Sequence, residues 1–324
     1  MRRRHFIKLL GGAAAWPLAA RAQQPAKVPR VGILSPAASE TAASLTAFRE
    51  GIRDLGYIKG QTITLDFRLS KGIMDALPAL AAELVRIPVN VIVTDSTSGT
   101  LAAFDATRRI PIVMGATGLD PVALGLAKSL SRPGGNVTGT QLLTGLSQKR
   151  LQLLKQAFPG ARTVAVLANP NNAISVSEMS KAEMAAAQIG VRLLPLAASR
   201  PAELHALAPS ALSGSDGFLV MPDAMFWNDR ATIIGIASMA RVPSIFPERE
   251  YADDGGLIAY GPNVPEHFRQ AAGYVDRILR GADPGDLPIN VSSQFDFVIN
   301  LRTARTLGLS LSPDLISAAN EVIE

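Results

Sequence analysis

Polar residues gather in short runs of this sequence, each directly after an apolar stretch. They are Ser35, then Asp95-Ser96-Thr97-Ser98, then Thr117 and Asp120 in the first half. The second half has Asn169 and Asn171, then Asp223, then Phe226-Trp227. Hydroxyls, amides and scattered carboxylates suit binding better than bond breaking. Ser96, Thr97 and Ser98 stand before a helical pattern. Their hydroxyls and the free N–H groups of a first turn suit a carboxylate, although plain helix capping uses the same residue types. Asp223 suits an ammonium, or else caps a helix. Phe226 and Trp227 suit the face of an apolar ligand, or else a core. Their shared position after strands is the stronger argument, because ligands of open parallel α/β sheets bind at the carboxyl ends of strands.

Bond-breaking chemistry finds little support. The chain has no Cys and three His, at 5, 205 and 267, far apart in sequence. Thiolate nucleophiles and disulfides are excluded, and a His-rich metal site is not expected. No G-x-S-x-G, H-E-x-x-H or G-x-x-x-x-G-K-[ST] pattern occurs. Residues 134–139 are glycine-rich without dinucleotide spacing, and read as a turn or hinge approach. Asp253-Asp254 precede Gly255-Gly256 and read as an exposed turn.

The elements that must position these residues alternate. Apolar runs at 31–34, 63–67, 89–94 and 110–114 predict strands, with helices at 41–55, 77–84 and 100–108 between them. Gly56 ends the first helix as a residue tolerant of left-handed backbone. The rhythm restarts with strands at 163–167, 191–196, 217–221 and 243–246, and helices at 175–189, 202–212 and 232–241. Val31 and Val164 are 133 positions apart, and Pro111 and Pro243 are 132 apart. Two similar βαβ modules explain this near-constant offset. A strand at 257–260, a helix at 268–279 and a strand at 295–299 form a tail that packs back onto them. Strands separated by helices predict parallel sheets covered on both faces.

The chain has 324 residues, 48% hydrophobic, enough for one large or two medium domains. Its 32 Lys and Arg exceed 27 Asp and Glu. Residues 1–22 hold Arg2, Arg3, Arg4, Lys8 and Arg21 and no acid, so the remainder is balanced. A nucleic-acid partner loses its electrostatic footing. The same segment reads as an export signal: a basic start, an apolar run from Leu9 to Ala20, and Ala20-Arg21-Ala22 at a cleavage site. Arg3-Arg4-His5-Phe6-Ile7-Lys8 resembles a twin-arginine signal. The apolar run is too short to span a bilayer.

Several segments resemble the exported substrate-binding proteins of ABC transporters, of the tryptophan/tyrosine-type group. They are Phe48-Arg49-Glu50-Gly51-Ile52-Arg53-Asp54-Leu55-Gly56-Tyr57, Arg109-Ile110-Pro111-Ile112-Val113 and Asp120-Pro121-Val122. Residues 131–139, Asn169-Pro170-Asn171, residues 304–309 and Glu321-Val322-Ile323-Glu324 extend the resemblance over the whole mature chain. It implies a type I periplasmic binding fold: α/β, two Rossmann-like lobes with parallel sheets joined by crossover strands. The expected division is 28–139 plus 262–287 for the first lobe, and 140–261 plus 288–324 for the second. By position, Thr97 and Ser98 face a ligand's acidic end, and Asn171 and Asp223 approach from the second lobe. The resemblance also implies a small-molecule ligand, an amino acid or aromatic acid, delivered to an ABC permease at the inner membrane. The protein is expected to be periplasmic, monomeric, non-catalytic and free of cofactors. A ligand sensor for a membrane receptor is the alternative reading, and an exported enzyme with a site between the lobes is a weaker one.

Overall fold

A computed structural model describes residues 28–143, 145–291 and 294–324. The expected export signal lies outside these residues. The first sheet is built from β1 (Arg30–Ser35), β2 (Thr64–Leu69), β3 (Val91–Thr94), β4 (Ile112–Thr117) and β5 (Val137–Gln141). The second is built from β6 (Thr163–Ala168), β7 (Arg192–Ala197), β8 (Gly217–Val220), β9 (Ser244–Phe246) and β10 (Ile258–Pro262). The chain then returns β11 (Asn290–Val291) to the first sheet, and β12 (Phe295–Asn300) and β13 (Glu321–Ile323) to the second.

Strand order is β11-β5-β4-β3-β1-β2 in one sheet and β13-β12-β10-β9-β8-β6-β7 in the other. The shared order of five strands is the structural form of the sequence repeat. Val31 and Val164 are each the second residue of a first strand, and Pro111 and Pro243 each precede a fourth. Pairing is parallel except between β10 and β12. Thr64–Leu69 lies at a sheet edge, which explains its half-exposed pattern.

The helices between strands are α1 (Ala43–Asp54), α2 (Leu77–Arg86), α3 (Thr97–Ala106), α4 (Leu146–Ala157), α5 (Ala173–Ile189) and α6 (Pro201–His205). They continue with α7 (Ala224–Asn228), α8 (Arg230–Ala240), α9 (Arg249–Asp253), α10 (Val264–Leu279), α11 (Leu301–Leu307) and α12 (Pro313–Ala318). Each sheet is buried on both faces. In the first, Val31, Ile33 and Val93 pack on Leu45 and Phe48 of α1 and Phe268 of α10, while Leu34, Ile92 and Met114 pack on α2 and α3. In the second, Val164 and Val166 face α4 and α5, while Ala165, Leu167 and Phe218 face α7 and α8. The α1–α10 contact needs Gly51: a Cβ there would come within 2.9 Å of the Ala272 Cβ.

The structure corrects several expectations. Residues 137–139, taken for part of a turn or hinge approach, belong to β5. Its threonines are buried, and satisfied by carbonyls: Thr138 Oγ1 donates to Leu287 O at 2.7 Å and Thr140 Oγ1 to Gly115 O at 2.7 Å. Thr140 and Gln141 pair in the first sheet with Asn290 and Val291 of β11. The helix expected over 202–212 is a short α6 and a 3₁₀ turn at Pro209–Leu212, because Pro209 interrupts it.

Candidate functional site

The segment after β1 meets the segment after β8 across the gap between the lobes, Pro36 and Ala38 on one side and Trp227 and Asn228 on the other. On the first lobe, Ser35 is fully buried and donates to Asp95 Oδ2 at 2.7 Å, while accepting from Ala37 N at 3.1 Å. Burial pushes the Asp95 carboxyl up to about 6, only partly offset by the Ser35 hydrogen bond. Ser96 holds φ +121°, a conformation costing a non-glycine residue about 1–3 kcal/mol. It is pinned there by its side chain, which accepts from Gly99 N at 3.0 Å, and by its carbonyl, which accepts from Thr100 Oγ1 at 2.9 Å. Ser96 is thus the N-cap of α3. Thr97 is buried and accepts from Gly118 N at 3.1 Å, and Ser98 is exposed on the first turn.

Two further residues expected at the ligand bond within this lobe. Thr117 is fully buried in a chain of hydroxyls, 2.8 Å from Thr100 Oγ1, which is 2.8 Å from Thr94 Oγ1. It ties β4 to α3. Asp120 is exposed and accepts from Val122 N at 2.9 Å, closing its own turn.

On the second lobe, Asp223 gathers four donors. Its Oδ1 accepts from Met225 N at 2.8 Å and Phe226 N at 3.3 Å, capping α7. Its Oδ2 accepts from Asn169 Nδ2 at 2.9 Å and Asn172 Nδ2 at 2.8 Å. Asn172, which sequence reasoning passed over, is the amide of its turn that reaches Asp223. Asn171 is exposed and bonds only through its backbone, to Asn169 Oδ1 at 2.9 Å. Phe226 is fully buried in the core among Phe218, Ile233 and Phe246. Trp227, its neighbour, stays half-buried and borders a cavity of about 560 Å³ between the lobes. Residues of α1 (Ala42, Thr46, Glu50) and Arg269 of α10 line the other side. The Arg230 guanidinium sits 4.7 Å from the Trp227 ring centroid, tethered to Asp254 at 2.7 Å.

The lobes touch through Asn228. Its Oδ1 accepts from Ala38 N at 3.1 Å and its Nδ2 donates to Pro36 O at 3.0 Å. Glu248, in the turn after β9, is pushed up to about 8 by burial. It follows the strand-end rule that located Asp223, and applying that rule to Ser244–Phe246 finds it. Among the described residues, no cluster of His, Asp or Glu could hold a metal ion, and no helix is long and apolar enough to cross a membrane.

A sequence model of the ABC transporter substrate binding protein family matches residues 33–323. The chain belongs to that family. Its task is the capture of a solute for an ABC transporter. Among relatives of this substrate-binding protein, the tyrosine-binding protein of Clostridioides difficile (strain R20291) is 28% identical over 270 residues, which is 83% of this chain and 78% of the relative. A conserved domain protein of Vibrio cholerae shares 27% identity at a TM-score of 0.84, covering 91% of this chain and 100% of its own. A domain from Streptococcus pneumonia, solved with L-Trp, has a TM-score of 0.82 at 23% identity, over 91% and 99%. A ligand-free, open substrate-binding protein from Clostridium difficile has 26% identity but a TM-score of only 0.65, over 92% and 99%. The fold is that of type I periplasmic binding proteins, α/β with two lobes.

Proposed function

We propose that this protein captures an amino acid or a closely related aromatic acid between its lobes. The observation that carries this reading is the polar composition of the strand ends: hydroxyls, first-turn N–H groups and the single carboxyl of Asp95 on the first lobe, the carboxyls of Asp223 and Glu248 on the second. One wall suits a ligand carboxylate and the other an ammonium. Similarity to a tyrosine-binding protein supports the same ligand class. Of the expected residues, Ser35, Ser96, Thr97 and Ser98 remain candidates on the first wall, with Asn169, Asp223 and Trp227 on the second.

Closure requires a ligand that favours the closed state by bridging both lobes. The Asn228 bonds across the gap, and the low TM-score against the open relative, support a closed arrangement here. The protein acts without catalysis, as a monomer, with no nucleic acid, and hands its ligand to an ABC permease at the inner membrane. Its two lobes, divided at the three chain crossings after β5, β10 and β11, move as units. Substrate-binding proteins of ABC importers are generally exported. The segment 1–22 supplies a twin-arginine-like signal cleaved near Ala22, giving a periplasmic protein that begins at Gln23.

A thermal-shift screen of the chain from Gln23 tests this reading against amino acids and aromatic acids. A ligand at about 100 times its Kd should stabilise the protein by roughly 2.7 kcal/mol. A flat response to every amino acid and aromatic acid refutes it. N-terminal sequencing of the exported protein checks the cleavage site.

A further inference from the structure

Asp223, the carboxylate best placed by sequence to hold an ammonium, already accepts four hydrogen bonds within its own lobe. The ammonium of an amino acid needs another partner. Besides Oδ2 of Asp296 on β12, three polar atoms of the second lobe are buried and lack one among the described residues: Oε2 of Glu248, Nη1 of Arg150 and the hydroxyl of Tyr251. They come from separate elements, the turn after β9, α4 and α9, yet form one electrostatic neighbourhood. Glu248 feels Arg150 and Asp223, Tyr251 feels Glu248 and Asp223, and Arg150 feels Glu248 and Tyr251.

Their settings differ in a useful way. Arg150 is 1% exposed, and its Nε is fixed to Tyr260 O at 2.7 Å. Tyr251 is fully buried and stacked on Phe246 with ring centroids 4.7 Å apart. Glu248 alone is half-buried, at the carboxyl end of β9. Glu250 and Arg230, which also act on it, line the cavity between the lobes. An unpartnered buried carboxyl is costly to keep. One at a strand end, two residues from the Glu250 of the cleft wall and within electrostatic reach of a fixed guanidinium, is arranged for a charge that arrives from outside.

We propose that Glu248 is the residue that holds the ligand's ammonium on the second lobe, with Arg150 and Tyr251 as positioning residues behind it. The proposal rests on the amino-acid reading above and names its second-lobe contact. The charged and titratable groups facing Glu248 are Arg150 of α4, Arg230 of α8, Glu250 of α9, Tyr251 of α9 and Asp223 of the turn after β8. In the free protein Glu248 titrates near 8, so it is mostly protonated at neutral pH. An arriving ammonium favours the ionised form, so binding expels that proton.

The test is calorimetric titration of the chain from Gln23 with the common L-amino acids, and with the deaminated acid of each one that binds. Each titration is run at pH 7 in two buffers of different ionisation enthalpy, on the wild type and Glu248→Gln. Glutamine matches the protonated carboxyl in shape, and an unchanged melting temperature at pH 6 confirms folding. Glu248→Asp is the second variant, and it keeps the proton release. Wild type should release close to one proton per amino acid bound, and none on binding the deaminated acid. Glu248→Gln should abolish the release and weaken amino-acid binding by roughly 10- to 100-fold, the usual range for losing a charged hydrogen bond. It should leave the deaminated acid within about threefold. If wild type binds an amino acid and Glu248→Gln binds it equally well, the Glu248 assignment falls and the amino-acid reading stands. If wild type binds no amino acid, both fall.

Discussion

The two lobes share one strand order but treat their strand-end polar groups differently. On the first lobe, neutral hydroxyls are linked to one another and to backbone: Thr94, Thr100 and Thr117 form a chain, and Thr97 holds Gly118 N. On the second, one carboxylate, Asp223, collects two side-chain amides and two backbone N–H groups. Beside it, the ionisable side chains of Arg150 and Glu248 each keep a buried polar atom unpaired. A duplicated backbone therefore carries two kinds of polar wall. A charged group that its lobe leaves unsatisfied is where an external charge gains most from docking.

This contrast can be broken in several ways. The largest expected effect is at Phe226, read as scaffold. Phe226→Ala should cost about 4 kcal/mol in urea denaturation, as for other buried aromatics. Retained stability with lost ligand affinity would make it a ligand residue and overturn its place in the core. Next is Asp223→Ala, which removes a cap and strands two buried amides, at about 3 kcal/mol. Thr117→Val, on the neutral wall, should cost about 1 kcal/mol. Equal losses would erase the asymmetry between the walls.

The pH dependence sharpens the same contrast. Asp95 is raised to about 6 and Glu248 to about 8, both by burial. A carboxyl raised above its unfolded value favours the native state below that unfolded value, and the advantage fades as pH rises through the folded one. The melting temperature of the free protein should therefore fall between about pH 4 and 8. Asp95→Asn should flatten the lower part of this slope and Glu248→Gln the upper part, which a pH-resolved thermal scan reads directly. The smallest effect concerns the contact between the walls. Asn228→Ala removes both bonds across the gap and should weaken ligand binding by about fivefold. Small-angle scattering should show a larger radius of gyration. No change in either would mean that Asn228 contributes nothing to closure.

Much of the frame was readable before any coordinates. Apolar periodicity is a local signal, and it marked the strands around Val31, Val91, Val164 and Phe218 and the helix ended by Gly190. The near-constant offset between Val31/Val164 and Pro111/Pro243 carried the duplication, because equal spacing of equal elements survives divergence of their side chains. The strand-end rule located Ser35, Ser96 and Asp223.

What the tertiary structure alone decided has a common cause. Residues 137–141 look polar because their threonines find carbonyl partners on other segments, a satisfaction that no local pattern displays. Asn171 and Asn172 are adjacent and chemically identical, and only the path into α5 turns the second toward Asp223. Phe226 and Trp227 occupy successive positions of one short helix, so roughly 100° of rotation puts one in the core and leaves the other at the cleft. Arg150 and Glu248 lie 98 positions apart and come within electrostatic reach because α4 packs against β9. Sequence fixes which segments are buried, since burial follows from the side chains of each segment. Which polar groups converge depends on where the chain carries those segments, and that is set by the packing of the whole molecule.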